Sequence, residues 1–307
     1  MKNYAKVPYF IFFTVITLFF ACNQSKSPKN NETILKGSAT VYVDETLTPV
    51  IDDQVEIFES KYEGKIKLIS KSESETVNSL FREKSAIAIL SRNLTTEELK
   101  VFAQKKIIPK VTMFATDAIA LISNQKNKDS IVALKDIISF MQGNAVLSFK
   151  GLVFDNPNSS TVRYMNSLAE IKTIPEKGVF SFKTNDEVIK YVSENEGMIG
   201  IVGVNWLTQP MPAMQKYVDN VKTLNVKGLT SENYFSPSQN NIAERKYPLA
   251  RDLFIINCQG YSGLGMGFAS FVAGDIGQRI ILKSGLLPVR IPGRNITIRK
   301  NIENDKK

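Results

Sequence analysis

Short, fully apolar runs alternate with amphipathic stretches along this chain from about Gly37, and that alternation constrains the fold most. Ala86-Ile87-Ala88-Ile89-Leu90 and Met198-Ile199-Gly200-Ile201-Val202-Gly203-Val204 are apolar on both faces. Strands of that kind are covered by helices on both sides. The intervening stretches place apolar residues on one helical face, as at Val50, Val55, Phe58 and Tyr62 behind a first-turn Pro49. The expected class is therefore α/β.

In chain order, Ala39 to Val43 and Ile66 to Ile69 read as strands, with a helix through Val77, Leu80 and Phe81 after them. Thr95 or Thr96 caps a helix of Glu97 to Lys105. Lys110 to Phe114 and Ala118 to Ile122 read as two strands separated by Ala115-Thr116-Asp117. Further βα units run through Ile131 to Met141, Gly151 to Phe154, Ser160 to Ala169 and Asp186 to Ser193. Leu249 to Ile256 is another strand, and Gly265 to Lys283 reads as one long amphipathic helix before Gly285 and Pro288.

Composition narrows the chemistry. At roughly 150 residues per domain, 307 residues suggest two domains. There is no histidine, which excludes Ser-His-Asp and Cys-His nucleophiles and His-bearing metal sites. Two cysteines, Cys22 and Cys258, cannot form a four-thiolate centre or a disulfide framework. These counts favour binding over catalysis, with no metal and no cofactor expected. The net charge of +9 is spread among acidic residues, without the clustered form of a nucleic-acid binder. The denser basic stretch from Arg290 to Lys307 reads as a solvated terminus.

Residues 1–21 have the form of a secretory signal: Lys2 and Lys6, then an apolar run that stops at Ala21. A small residue before Cys22 resembles the bacterial lipoprotein lipobox, which implies a diacylglycerol on the Cys22 thiol. Residues 22–33 read as a polar, lipid-proximal linker.

Several ordered segments carry a wider resemblance. Asp44-Glu45-Thr46-Leu47-Thr48-Pro49 opens the first helix, and Leu90-Ser91-Arg92-Asn93-Leu94-Thr95-Thr96-Glu97-Glu98 follows a buried strand. Asp117 to Asn124, Asn158-Ser159-Ser160-Thr161, Tyr247 to Phe254 and Gly285 to Val289 continue the order. Residues 37–292 thereby resemble the PstS-like phosphate-binding proteins of ABC uptake systems. The resemblance implies a two-lobed type II periplasmic-binding-protein fold, with two Rossmann-like lobes joined by two crossing strands. Residues 34–114 and 254–303 would form the first lobe, 115–253 the second, and 304–307 a tail. It implies a monomer in the periplasm, held to the membrane by lipid, that captures inorganic phosphate for ABC permease subunits. The same fold holding molybdate or sulfate, or a sensor or interaction lipoprotein without anion binding, are the alternatives.

A dehydrated oxyanion needs donors, and helix N-termini with hydroxyl residues supply them. Thr46 and Leu47, Ser72 or Ser74, and Ser159-Ser160-Thr161 stand at such turns, although each hydroxyl can equally be an ordinary cap. Arg92 and Arg163 are the candidate cations, with a surface salt bridge as the alternative for the first and a solvent-facing role for the second. Where the family has an arginine four residues before its serine, this chain has Asp155. A carboxylate there could accept the proton that hydrogen phosphate carries; Asp155, Asp44 and Asp117 are candidates, and Asp117 reads equally as a hinge residue. A cleft of amides, hydroxyls and arginines would change its own charge little across neutral pH.

Overall fold

The computed structural model describes residues 32–83, 86–144 and 148–293. The signal segment, Cys22 and the chain beyond residue 293 lie outside these residues.

The first part runs β1 (Lys36–Asp44), a 3-10 turn (Glu45–Leu47), α1 (Thr48–Lys61), β2 (Glu63–Lys71), α2 (Glu73–Arg82), β3 (Ile87–Leu90), α3 (Thr96–Gln104) and β4 (Lys110–Asn124). The middle follows as β5 (Ile131–Ala133), α4 (Leu134–Met141), β6 (Gly151–Phe154), α5 (Ser160–Leu168), β7 (Val179–Ser181), α6 (Asn185–Glu194) and β8 (Met198–Gly203). Short elements come next: α7 (Asn205–Thr208), α8 (Gln215–Val218), β9 (Val221–Thr223), β10 (Asn225–Lys227), β11 (Tyr234–Phe235) and α9 (Gln239–Ala243). The chain closes with β12 (Ala250–Asn257), α10 (Leu264–Val272), α11 (Asp275–Lys283) and β13 (Leu287–Pro288).

The main sheet has the order β2-β1-β3-β12-β4-β8-β6-β7. Its class is α/β, as the run-and-helix alternation predicts. β1 pairs with β2 and β3 in parallel, and β6 pairs with β7 and β8 in parallel. β4 pairs with β12 along one half and with β8 along the other, antiparallel in both cases, and β12 is antiparallel to β3 as well. Strand periodicity sorts the core into layers. Val41, Val43, Ile87 and Ile89 face one side, while Tyr42, Ala88, Leu90 and Ile256 face the other. In the second half Ile119, Leu121 and Ile201 face the first layer, and Ala120, Ile122 and Val202 face a third. Cys258 is buried among apolar neighbours beside Ile256, and burial pushes its thiol up to about 11.

Two sequence expectations change. Lys110 to Phe114 and Ala118 to Ile122 are one continuous strand, because the intervening residues pair with β12 in register Thr116↔Asp252 and Asp117↔Arg251. The long terminal helix is two, α10 and α11. Gly274 adopts extended backbone (φ −83°, ψ 174°) and caps the second. A Cβ on Gly277 would stand 2.4 Å from the Val272 carbonyl oxygen, so the corner between the helices admits only glycine there.

Candidate functional site

In parallel α/β units the carboxyl ends of strands and the N-termini of the following helices open onto one edge. Here β1 ends on Asp44 and turns through Thr46 into α1, while β6 ends at Phe154 and turns through Asp155 and Ser159 into α5. The two turns meet: Thr46 Oγ1 lies 3.1 Å from Ser160 Oγ. The crossing strand β12 places Arg251 between them.

Arg251 is 5% exposed and organises the cluster. Its Nη2 donates to Asp117 Oδ2 at 2.9 Å and its Nη1 to Ser160 Oγ at 2.9 Å. Nε reaches Asp117 Oδ2 at 3.3 Å, and Nη2 lies 3.5 Å from Thr46 Oγ1. Asp155 accepts from Ser159 Oγ at 2.6 Å and from Asn185 Nδ2 at 3.1 Å. Asn185 is held in turn by the Gly203 N–H, which donates to its Oδ1. Asp44 accepts the Thr46 N–H at 3.2 Å. α7 is tied to the first turn as well: the Thr46 carbonyl accepts from Trp206 Nε1 at 2.9 Å and Asn205 Nδ2 at 3.2 Å.

Burial dominates the electrostatics. It raises Asp155 to about 7, against the Ser159 hydrogen bond, with the Asp44 charge adding to the rise and Arg251 opposing it. It raises Asp44 to about 6, with Arg251 opposing and Glu73 adding. Glu45 rises to about 7 through burial and the charges of Asp155 and Asp44. Asp117 is also raised by burial, against Arg251. The expectation that the cleft's charge varies little near neutrality is therefore overturned: desolvated carboxylates titrate where no histidine exists.

Of the residues singled out from sequence, Asp44, Thr46, Ser159, Ser160, Asp155 and Asp117 come together around Arg251. Thr161 is fully buried on the same helix start, and its Oγ1 has no hydrogen-bond partner. The others go elsewhere. Leu47 buries its side chain in the core. Ser72 is spent in a capping box with Glu75, and Ser74 is exposed beside a cavity of about 340 Å³ lined also by Ser159 and Arg163. Arg92 gives Nε to Glu73 Oε1, grips both Glu98 oxygens with Nη1 and Nη2 at 2.8 Å each, and also bonds the Asn93 carbonyl. Its fork faces carboxylates, the salt-bridge alternative. Arg163 Nε lies 2.6 Å from the same Glu73 oxygen and its side chain is 40% exposed, so it clasps α5 to α2.

Sequence reasoning passed over Arg251, Asn185 and Trp206. Arg251 and Asp117 are opposite charges in otherwise apolar runs, and that opposition is a readable signal. Trp206 donates its indole N–H to the Thr46 carbonyl, at the edge of a cavity of about 570 Å³. Among the described residues no cluster of three or more His, Cys, Asp or Glu could hold a metal ion. Among them too, no helix is long and apolar enough to cross a membrane.

A family model described as the PBP superfamily domain matches residues 28–275. This chain belongs to the PBP superfamily. Among curated proteins, the phosphate-binding protein PstS of Borreliella burgdorferi is 25% identical over 303 residues, covering 93% of this chain and 99% of that protein. Among solved structures, a Clostridium perfringens ABC-transporter substrate-binding protein with bound phosphate superposes with a TM-score of 0.67 at 19% identity, over 83% of this chain and 100% of that one. An ABC-type phosphate transport receptor from Vibrio cholerae follows at 0.62 and 16%, over 82% and 100%. At these identities the superpositions establish the fold alone.

Proposed function

We propose that this PBP-superfamily chain captures inorganic phosphate between its two lobes and presents it to an ABC permease. The observation that carries this reading is the Arg251 guanidinium, fixed among hydroxyls at helix starts from both halves of the sheet. A guanidinium fork, the Ser160 and Thr46 hydroxyls, the unpartnered Thr161 hydroxyl and first-turn amides form a donor set for a tetrahedral oxyanion. The names of the Borreliella and Vibrio relatives support the same ligand. The role is capture, with no bond made or broken in the ligand.

Residues 34–114 with 254–303 form one lobe in this reading, and 115–253 the other. Anion access requires the Thr46–Ser160 contact and the Glu73–Arg163 pair to part, and β4 and β12 are the strands about which the lobes would hinge. Asp155 and Asp117 supply acceptors for a ligand proton, which disfavours sulfate and molybdate, both proton-free at neutral pH. The chain acts outside the cytoplasm as a monomer tethered by lipid on Cys22. The mass of the membrane-extracted protein checks the tether: a diacylglycerol increment is expected, and an unmodified Cys22 would refute it.

Isothermal titration tests the ligand, using protein stripped by unfolding and refolding. Saturable heat with phosphate, and none with sulfate or molybdate, is the expected result. Silence with all three would leave the fold to a sensor or interaction role.

A further inference from the structure

The cavity of about 570 Å³ beside Trp206 is distinct from the Arg251 cluster: none of Arg251, Ser160, Asp155 and Asp117 lines it. Four segments enclose it, namely α1, the stretch from Asn205 to Met211 that includes α7, the end of α11, and the first turn of α6 at Asp186. Val50, Ile57, Trp206, Met211 and Ile280 give it apolar walls. Its volume lies within the range of pockets that hold organic molecules, roughly 300–1,000 Å³.

The charge on these walls is one-sided. Asp52, Asp53 and Glu56 from α1 and Asp186 from α6 face a single cation, Lys283. Among the described residues none of these four carboxylates forms a salt bridge. Burial raises Asp52, Asp53 and Asp186; the Asp53 charge adds to the rise of Asp52 and the Glu56 charge to that of Asp53, with Lys283 opposing. Asn205 adds an acceptor to the same wall. It is 1% exposed, its Nδ2 is spent on the Thr46 carbonyl, and its Oδ1 has no hydrogen-bond partner. Gly203 brings this oxygen close to the start of α6. Its N–H donates to Asn185 Oδ1 at 3.2 Å, one residue before Asp186, and a Cβ on it would stand 2.6 Å from Asn205 Oδ1. Gln209 and Ser284, also on the wall, are bonded to each other at 3.2 Å. What the cavity lacks is therefore a donor and positive charge, and its carboxylates repel a second oxyanion. Those carboxylates are spread along the walls and form no metal-holding group among the described residues.

We propose that this cavity is a binding site for a small organic cation, an ammonium group carried on an aliphatic or aromatic body. The ammonium would donate to Asn205 Oδ1 and the Asp186 carboxylate, in the field of the α1 carboxylates. The body would pack on Ile57, Met211 and Ile280, with the Trp206 indole as an aromatic wall that attracts cations. Enclosure by four segments suits a small molecule better than the flat surface of a partner protein. The proposal stands whether or not the Arg251 cluster holds phosphate.

Trp206 is the single tryptophan of the chain, so its fluorescence reports on this cavity directly. Phenethylamine and hexamethylenediamine are the probes, titrated into the intact protein. Phenethyl alcohol supplies the same body without the charge, and ammonium chloride the charge without the body. A saturable change in Trp206 emission with at least one amine, and none with the alcohol or the ammonium salt at equal concentration, is the expected result. Silence with both amines overturns the proposal and leaves the cavity to a basic side chain of a partner protein. A response to phenethyl alcohol equal to that of the amine also overturns it, since charge then plays no part. Raising the ionic strength from about 0.01 M to about 1 M should weaken amine binding several-fold in the parent protein, a readout that needs no variant to fold, and salt-independent binding overturns the electrostatic assignment. The double variant Asp53→Asn/Asp186→Asn should raise the apparent Kd of the amine roughly tenfold with a parental thermal melt, and parental affinity overturns the assignment of those carboxylates.

Discussion

Arg251→Ala should lose measurable phosphate binding and about 3–5 kcal/mol of stability, the usual result of removing one partner of a buried ion pair. The guanidinium is the shared partner of Asp117, Ser160 and Thr46, and its side chain is 2% exposed. Truncation leaves Asp117 buried without its cation and removes the charged donor between the two helix starts. Arg251→Lys keeps a charge but not the planar fork, so it should recover stability better than it recovers binding. Arg92→Ala is the contrasting variant. Its donors already face Glu73 and Glu98, so phosphate affinity should stay within about twofold of the parent while stability falls by about 1–3 kcal/mol. Urea denaturation beside calorimetric titration separates the two quantities. Parental phosphate affinity in Arg251→Ala would remove the residue from the site.

Stability should rise as pH falls from about 8 towards about 5, the opposite of ordinary acid destabilisation. Asp155 and Asp44 carry folded values of about 7 and about 6, against 3.8 for the free side chain. Between those limits the folded chain holds more protons than the unfolded chain, so stability falls as pH rises. The contribution is fully present below the unfolded value and is lost as pH rises through the folded values. Both carboxyls contribute in the same direction, Asp155 over the higher pH range and Asp44 over the lower. Glu98 works the other way. Burial pushes it up, but the Arg92 and Thr95 hydrogen bonds outweigh that, and its lowered value makes stability fall only in stronger acid. Asp155→Asn should flatten the neutral-range slope in thermal melts, and an unchanged slope would assign the titration to another group.

Much of the frame was legible because burial writes itself into apolar runs. β3 and β8 are continuous runs since helices cover both faces. Asp117 and Arg251 interrupt such runs, and they pair across β4 and β12. Other features depend on contacts that sequence distance hides. The break between α10 and α11 falls inside an apolar period that continues from Phe268 and Phe271 to Ile280 and Ile281. Only Gly274-Asp275 marks it. The position of Arg92 at the carboxyl end of β3 is local information and was read correctly. Its occupation by Glu98 was half legible from the Thr95–Glu98 capping box, but Glu73 arrives from another helix. The pH behaviour was misjudged because carboxylates were counted at their solution values. Their burial is a property of the assembled turns.

A crystal structure of the stripped and refolded protein soaked in phosphate tests the central claim most directly. The account predicts tetrahedral density within hydrogen-bond distance of Arg251, Ser160 and Thr46, with the Thr46–Ser160 pair opened from 3.1 Å to admit it. Phosphate bound instead at Arg92 and Arg163, with the Arg251 cluster unchanged, would contradict it.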